Sequence, residues 1–282
     1  MTTPKSRPLW VGTSWKMNKT LAEADSFVDD LLTYSIPSDI QPFVLPPHTA
    51  LARVRDRMAT DSPVLLGAQN AHWAAEGSWT GEISMRMAKD AGATLIEIGH
   101  SDRREHFGET DRTVALKVAA AIAHGLVPLI CVGEPLGVRE AGGAEDFVRV
   151  QLEMAMSEIG PAEIRQVIIA YEPVWAIGER GTPPSVEQIA PVMALISDVV
   201  STTGGPARAV LYGGSVDTQN AGELLRVPHT DGLFVGRAAW AASGFIELLK
   251  LCARIDRTGP SQQAATAQPS RGPLRQLFCE EQ

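Results

Sequence analysis

Short apolar runs rich in Val, Ile and Leu recur eight times along this chain, and a helix-period segment follows each one. The runs predict strands at Leu9–Thr13, Pro42–Leu45, Val64–Ala68, Thr94–Ile98, Val127–Val132, Val167–Tyr171, Ala209–Tyr212 and Gly232–Val235. The segments between them predict helices at Leu21–Thr33, Ala50–Met58, Ile83–Asp90, Thr113–His124, Glu145–Ile159, Val186–Thr202, Thr218–Arg226 and Ala239–Arg254, one after each strand. An open doubly wound sheet uses the same alternation. Eight similar units over about 250 residues fit a closed α/β barrel of (β/α)₈ type better, as a single domain.

Length alone leaves the domain count open, because 282 residues divided by about 150 per domain gives two. The tail decides the matter. After Arg257 the composition turns to Gly, Pro, Ser, Gln and Ala, which cannot bury enough apolar surface to offset ordering entropy. Residues 1–8 are therefore read as a flexible start, 9–257 as the barrel and 258–282 as a disordered tail, in which Leu274, Leu277 and Phe278 form one short apolar cluster.

The net charge of -8 repels nucleic acid and anionic lipid, so neither is expected as a partner and any basic site must be local. Cys131, Cys252 and Cys279 are too few and too scattered for a disulfide framework or a metal cluster. No apolar run approaches the roughly 18 residues of a membrane span, and Met1 to Pro8 lacks a secretory h-region. A cytoplasmic protein without metal or other cofactor is the expectation.

In a barrel of this type the working groups sit where strands end and βα loops begin. Four junctions are rich in chemistry: Gly12-Thr13-Ser14-Trp15-Lys16-Met17-Asn18, Gly99-His100-Ser101-Asp102-Arg103-Arg104, Tyr171-Glu172-Pro173-Val174-Trp175-Ala176-Ile177-Gly178 and Tyr212-Gly213-Gly214-Ser215. Singly, Lys16 reads as a solvated loop lysine, His100 as a helix cap or a core histidine, and Glu172 as half of an ion pair. Together, a carboxylate base, an imidazole and an ammonium are what proton abstraction beside a carbonyl requires. Gly213 and Gly214 after the seventh strand, and Gly236 and Arg237 after the eighth, can offer backbone N–H groups to a phosphate, or simply permit tight turns.

These junctions closely resemble the triosephosphate isomerase family, from Trp10 to about Ala253, and Tyr171 to Gly178 is the most specific run. The resemblance implies a TIM barrel with Glu172 as proton-shuttling base, His100 as neutral electrophile and Lys16 as electrostatic partner of the substrate. This family is itself the type example of a glutamate base tuned against a neutral histidine, so that pairing comes here from the resemblance alone. It further implies phosphate ligands at Gly178, Ser215 and the Gly236 turn, and supporting roles for Cys131 and Glu134 in Cys131-Val132-Gly133-Glu134. A lid hinged at Pro173-Val174-Trp175 and at Thr182-Pro183-Pro184 would keep water from an enediolate that could otherwise expel phosphate. The segment from Gln69 to Ser84, with Trp73 and Trp79, resembles the loop by which such barrels form homodimers; a loop packed on its own barrel is the other reading.

Four positions depart from the family's ordinary pattern. Ser14 stands in place of Asn, Asp102 in place of Glu, Arg237 in place of Gly, and Arg180-Gly181 changes the lid tip. Exchanging Asn for Ser frees about two heavy atoms' worth of space beside the reacting end, enough for a hydroxymethyl group. With Ile96-Glu97-Ile98-Gly99-His100 and Gly232-Leu233-Phe234-Val235-Gly236-Arg237, this resembles the family's L-erythrulose-1-phosphate isomerase branch and implies erythritol catabolism. The expected reaction passes through a cis-enediolate and converts L-erythrulose 1-phosphate to D-erythrulose 4-phosphate. A triose phosphate substrate is the alternative, and a non-catalytic phosphate-metabolite sensor a third. Arg237 is read as a further phosphate ligand, a pair with an acid outside the pocket being the other reading, and Glu97, of opposite strand parity to His100, as a structural residue facing the helices.

Overall fold

The computed structural model describes residues 7–178 and 181–255. Arg180 of the lid tip, Cys279 and the expected tail all lie outside the described residues. Eight parallel strands close on themselves: β1 Leu9–Ser14, β2 Ile40–Leu45, β3 Leu65–Ala68, β4 Leu95–Ile98, β5 Val127–Val132, β6 Ile168–Tyr171, β7 Ala209–Tyr212 and β8 Gly232–Val235. β1 pairs with β2 on one side and with β8 on the other, which completes the predicted barrel.

Side chains alternate along each strand between two cores. Val11, Val44, Ile96, Ile130, Ile169, Val210 and Leu233 point outward and pack with the helices. Trp10, Phe43, Leu95, Leu129, Ile168, Leu211 and Phe234 point inward and fill the barrel. Phe43 stacks on Phe234 with ring centroids 5.7 Å apart and meets the edge of Trp10 at 6.1 Å. Gly12 admits that ring, since a Cβ there would lie 2.0 Å from it.

Around the barrel run α1 Leu21–Leu32, α2 His48–Arg57, α3 Met85–Asp90, α4 Ser101–His106, α5 Asp111–Ala123, α6 Leu136–Glu140, α7 Ala144–Ala155, α8 Val186–Thr203, α9 Ala221–Leu224 and α10 Ala242–Cys252. The expectation of one helix per strand fails after β4 and β5, each of which is followed by two. The extra helices, α4 and α6, bury none of their residues, so they carry no apolar period to read. Both begin at the barrel mouth, immediately after His100 and Pro135. No helix among the described residues is long and apolar enough to cross a membrane.

Candidate active site

At the C-terminal ends of the strands a cavity of about 410 Å³ opens, lined by Ser14, Lys16, Glu97, His100 and Glu172 on one side and by Gly178, Ser215, Gly236, Arg237 and Trp240 on the other. The three side chains expected to do chemistry therefore share one pocket although they follow β1, β4 and β6. Lys16 holds a left-handed backbone, with φ at 52°. Such a conformation is costly for a lysine and persists only where the surroundings impose it. Gln69 does so by donating from Nε2 to the carbonyl of Lys16 at 3.0 Å and to that of Leu45 at 2.9 Å.

Glu172 is buried, and its Oε2 lies 3.9 Å from His100 Nε2 with no hydrogen-bond partner. A buried carboxylate oxygen without a partner is expensive in a folded protein, and one facing a cavity is available to a ligand. Gly213 makes room for it, because a Cβ at that position would come within 2.8 Å of the glutamate's Cγ. His100 caps α4: its Nδ1 accepts the backbone N–H of Asp102 at 3.0 Å. The neutral ring then carries its proton on Nε2, the nitrogen directed toward Glu172. Capping and catalysis are thus two uses of one imidazole.

Asp102 reaches Lys16 Nζ at 3.0 Å, so the shorter carboxylate still meets the ammonium. Partial burial pushes its pKa up, but His100 and Lys16 outweigh that and hold its carboxyl below the usual range. Cys131 is buried inside the barrel, where desolvation and the flanking Glu172 and Glu97 push its thiol well up; it is a packing group.

The segment that follows β6 is tied to Glu134, which is fully buried and accepts from Arg139 Nε at 2.7 Å, Trp175 Nε1 at 2.8 Å and the Tyr171 hydroxyl at 3.1 Å. Farther along, the Ser215 hydroxyl donates to the Ala176 carbonyl at 2.5 Å, and Arg237 Nη2 donates to the Gly178 carbonyl at 2.6 Å. Loops after β7 and β8 thus grip the segment that follows β6. Gly178 has φ at 84°, a conformation that favours glycine.

The triosephosphate isomerase family model matches residues 9–252. The chain belongs to the triosephosphate isomerase family. Among its relatives, an L-erythrulose-1-phosphate isomerase of Mycolicibacterium smegmatis is 50% identical over 248 residues, covering 87% of this chain and 93% of the relative. Proteins of the same name from Mesorhizobium japonicum and Rhizobium meliloti are each 52% identical, over 85% and 87% of this chain and 95% and 97% of their own lengths.

Within this member of the family the expected site residues all gather at the mouth, apart from Cys131 and Glu134, which stand behind it. One expectation is overturned. Glu97 does not face the helices: it points into the barrel and lines the cavity, accepting a hydrogen bond from the Ser14 hydroxyl at 2.9 Å. Strand parity could not be counted back from His100, because β4 ends at Ile98 and Gly99 turns the chain with φ at 78°. Counted from Leu95, which fills the barrel, the same alternation puts Glu97 inside. Burial raises its carboxyl to about 7, Glu172 adding to the rise while His100, Ser14 and Lys16 oppose it.

Sequence reasoning gave Gln69 only to the expected dimer loop and overlooked Trp240, whose Nε1 donates to the Ser14 carbonyl at 2.9 Å. Arg139 and Tyr171 were missed as partners of Glu134. Their signals were weak: Tyr171 sits in an apolar strand run that already accounts for it, and Arg139 in α6, which carries no apolar period.

Proposed function

We propose that this triosephosphate isomerase family member converts L-erythrulose 1-phosphate to D-erythrulose 4-phosphate, without a cofactor. The reading rests above all on the buried, unpartnered Glu172 oxygen facing His100 Nε2 across a cavity that also holds Lys16. The substrate class follows from relatives that bear the name L-erythrulose-1-phosphate isomerase and from the space beside Ser14.

Numbered from the phosphate end, the substrate carries its carbonyl at C2 and a hydroxyl at C3. Glu172 removes the proton from C3 as His100 donates from Nε2 to the carbonyl oxygen, giving a cis-enediol between C2 and C3. Lys16 stabilises negative charge developing on those oxygens. The proton on Glu172 then returns to C2 while the C3 hydroxyl gives its own to His100 Nε2, which restores the neutral ring, and the carbonyl stands at C3. Counted from the other end, the product is a tetrulose 4-phosphate.

The phosphate belongs to Gly178, Ser215, the Gly236 turn and Arg237, which with Lys16 bring local positive charge to an acidic protein. With the lid held down, the bond to the phosphate ester stays out of line with the enediol π system and phosphate is not expelled. Assay of the purified chain on both substrate pairs tests the proposal. A higher kcat/KM for L-erythrulose 1-phosphate than for dihydroxyacetone phosphate is expected; the reverse order makes it a triose enzyme. Binding of phosphate esters with no turnover of either makes it a sensor.

A homodimer through residues 69–84 belongs to the same proposal. There the ring of His72 stacks on Trp73 at 4.0 Å and meets Trp79 at a tilt, with ring centroids 4.4 Å apart. Trp73 is half-buried by this packing, while Trp79 remains 50% exposed and Met17 96% exposed. Exposed apolar side chains grouped on protruding loops favour a protein interface, and sedimentation equilibrium would give the mass. Cytoplasmic localisation and a place in erythritol catabolism complete the reading; kinase and dehydrogenase genes for a four-carbon polyol beside this one would support it.

A further inference from the structure

The mechanism above leaves one buried ionisable side chain of the cavity unused. Glu97 is 3% exposed, and the hydrogen bond from Ser14 occupies only its Oε2. Among the described residues nothing donates to its other oxygen. The side chains of Ser14 and Glu97 come from β1 and β4, strands that do not adjoin, so their hydrogen bond crosses the barrel interior and forms a polar wall of the cavity. A half-satisfied carboxyl at this depth is costly unless a ligand completes it.

The strand order says which part of a ligand that is. β4 lies diametrically across the barrel from β8, and Ser215, Gly236 and Arg237 follow β7 and β8. A phosphate held there and reacting carbons held between Glu172 and His100 leave the arc near Glu97, which the Ser14 hydroxyl reaches from β1, for the end remote from phosphate. In a triose phosphate that end stops at the reacting carbon. In a tetrulose phosphate it continues into a hydroxymethyl arm, whose hydroxyl is a hydrogen-bond donor.

We propose that Glu97, oriented by Ser14, is the specificity-determining residue of this enzyme and accepts a hydrogen bond from the terminal hydroxyl of the four-carbon substrate. The inference rests on the tetrulose reading above and adds its recognition element. Ser14 is then a positioning residue: it leaves space for the arm and fixes the carboxyl that receives it. A site built around a buried acceptor discriminates against a substrate lacking the donor, because the acceptor is left unpaired.

The experiment compares wild type, Glu97→Gln and Glu97→Leu on three substrates: L-erythrulose 1-phosphate, its 4-deoxy analogue and dihydroxyacetone phosphate. With L-erythrulose 1-phosphate, kcat/KM falls about tenfold in Glu97→Gln and about 100-fold in Glu97→Leu, in line with the loss of a charged hydrogen bond. With the other two substrates each variant stays within about threefold of wild type, because neither substrate carries the hydroxyl. Equal losses on all three substrates, or no loss on any, overturn the proposal. If Glu97→Leu does not fold, Glu97→Gln and the response of wild type to the 4-deoxy analogue decide it, and an analogue turned over as well as its parent sinks it. A wild type that prefers dihydroxyacetone phosphate refutes the tetrulose reading itself, and this inference with it. A wild type that prefers the tetrulose while its variants keep the same preference refutes the role of Glu97 alone.

Discussion

Two layers of inward-facing side chains sit one above the other in this barrel. The lower one, with Trp10, Phe43, Leu95, Leu129 and Phe234, is apolar and closely packed. The upper one, with Ser14, Glu97 and Glu172, is polar and incompletely paired. Shape alone satisfies the first. The second is satisfied only with something in the cavity, so the lower layer must supply the stability that the upper one gives up.

The sharpest separation of the layers comes from Glu172→Gln. It should lower kcat by about 10³- to 10⁴-fold while leaving the melting temperature unchanged or raised, as steady-state assay and calorimetry would record. Phe43→Ala is the converse: a loss of about 3–5 kcal/mol in urea unfolding, with near-normal kcat in the molecules that remain folded. If both variants lost activity and stability alike, the division into layers would be wrong.

A pH series probes the upper layer by itself. The folded-state pKa of Glu97, about 7, lies above the 4.5 of an ordinary glutamate. Its contribution to stability is therefore complete below pH 4.5 and lost as pH rises through about 7. Lys16, His100, Glu172 and Cys131 also face this carboxyl, so the comparison must be with Glu97→Gln in the same buffers. Relative to that variant, wild type should lose about 3 kcal/mol between pH 4.5 and 8 in urea titrations. The smallest effect belongs to Trp175→Phe, which removes one donor from Glu134: about 1–2 kcal/mol of lid anchoring, read as a rise in inorganic phosphate released per turnover.

The same two layers explain what could be read in advance. All eight strands follow from apolar runs because a barrel strand is buried on both faces, and the predicted ends fall within two residues of those observed. The mouth obeys other rules. α4 and α6 escape notice because they cover no core, and Glu97 was placed on the wrong side because Gly99 breaks the alternation between it and His100. Lys16, His100 and Glu172 were legible as residue types at strand ends. Their mutual geometry, and the convergence of Arg139, Tyr171 and Trp175 on one acid, depend on contacts between distant segments that no local pattern encodes.

The hydrogen bonding that joins β8 back to β1 has a consequence beyond catalysis. A ribbon of strands sewn into a ring exposes no row of free amides, so another polypeptide has no template onto which to polymerise. Whatever meets this molecule in a crowded cell can read only its outer helices and the tips of its loops.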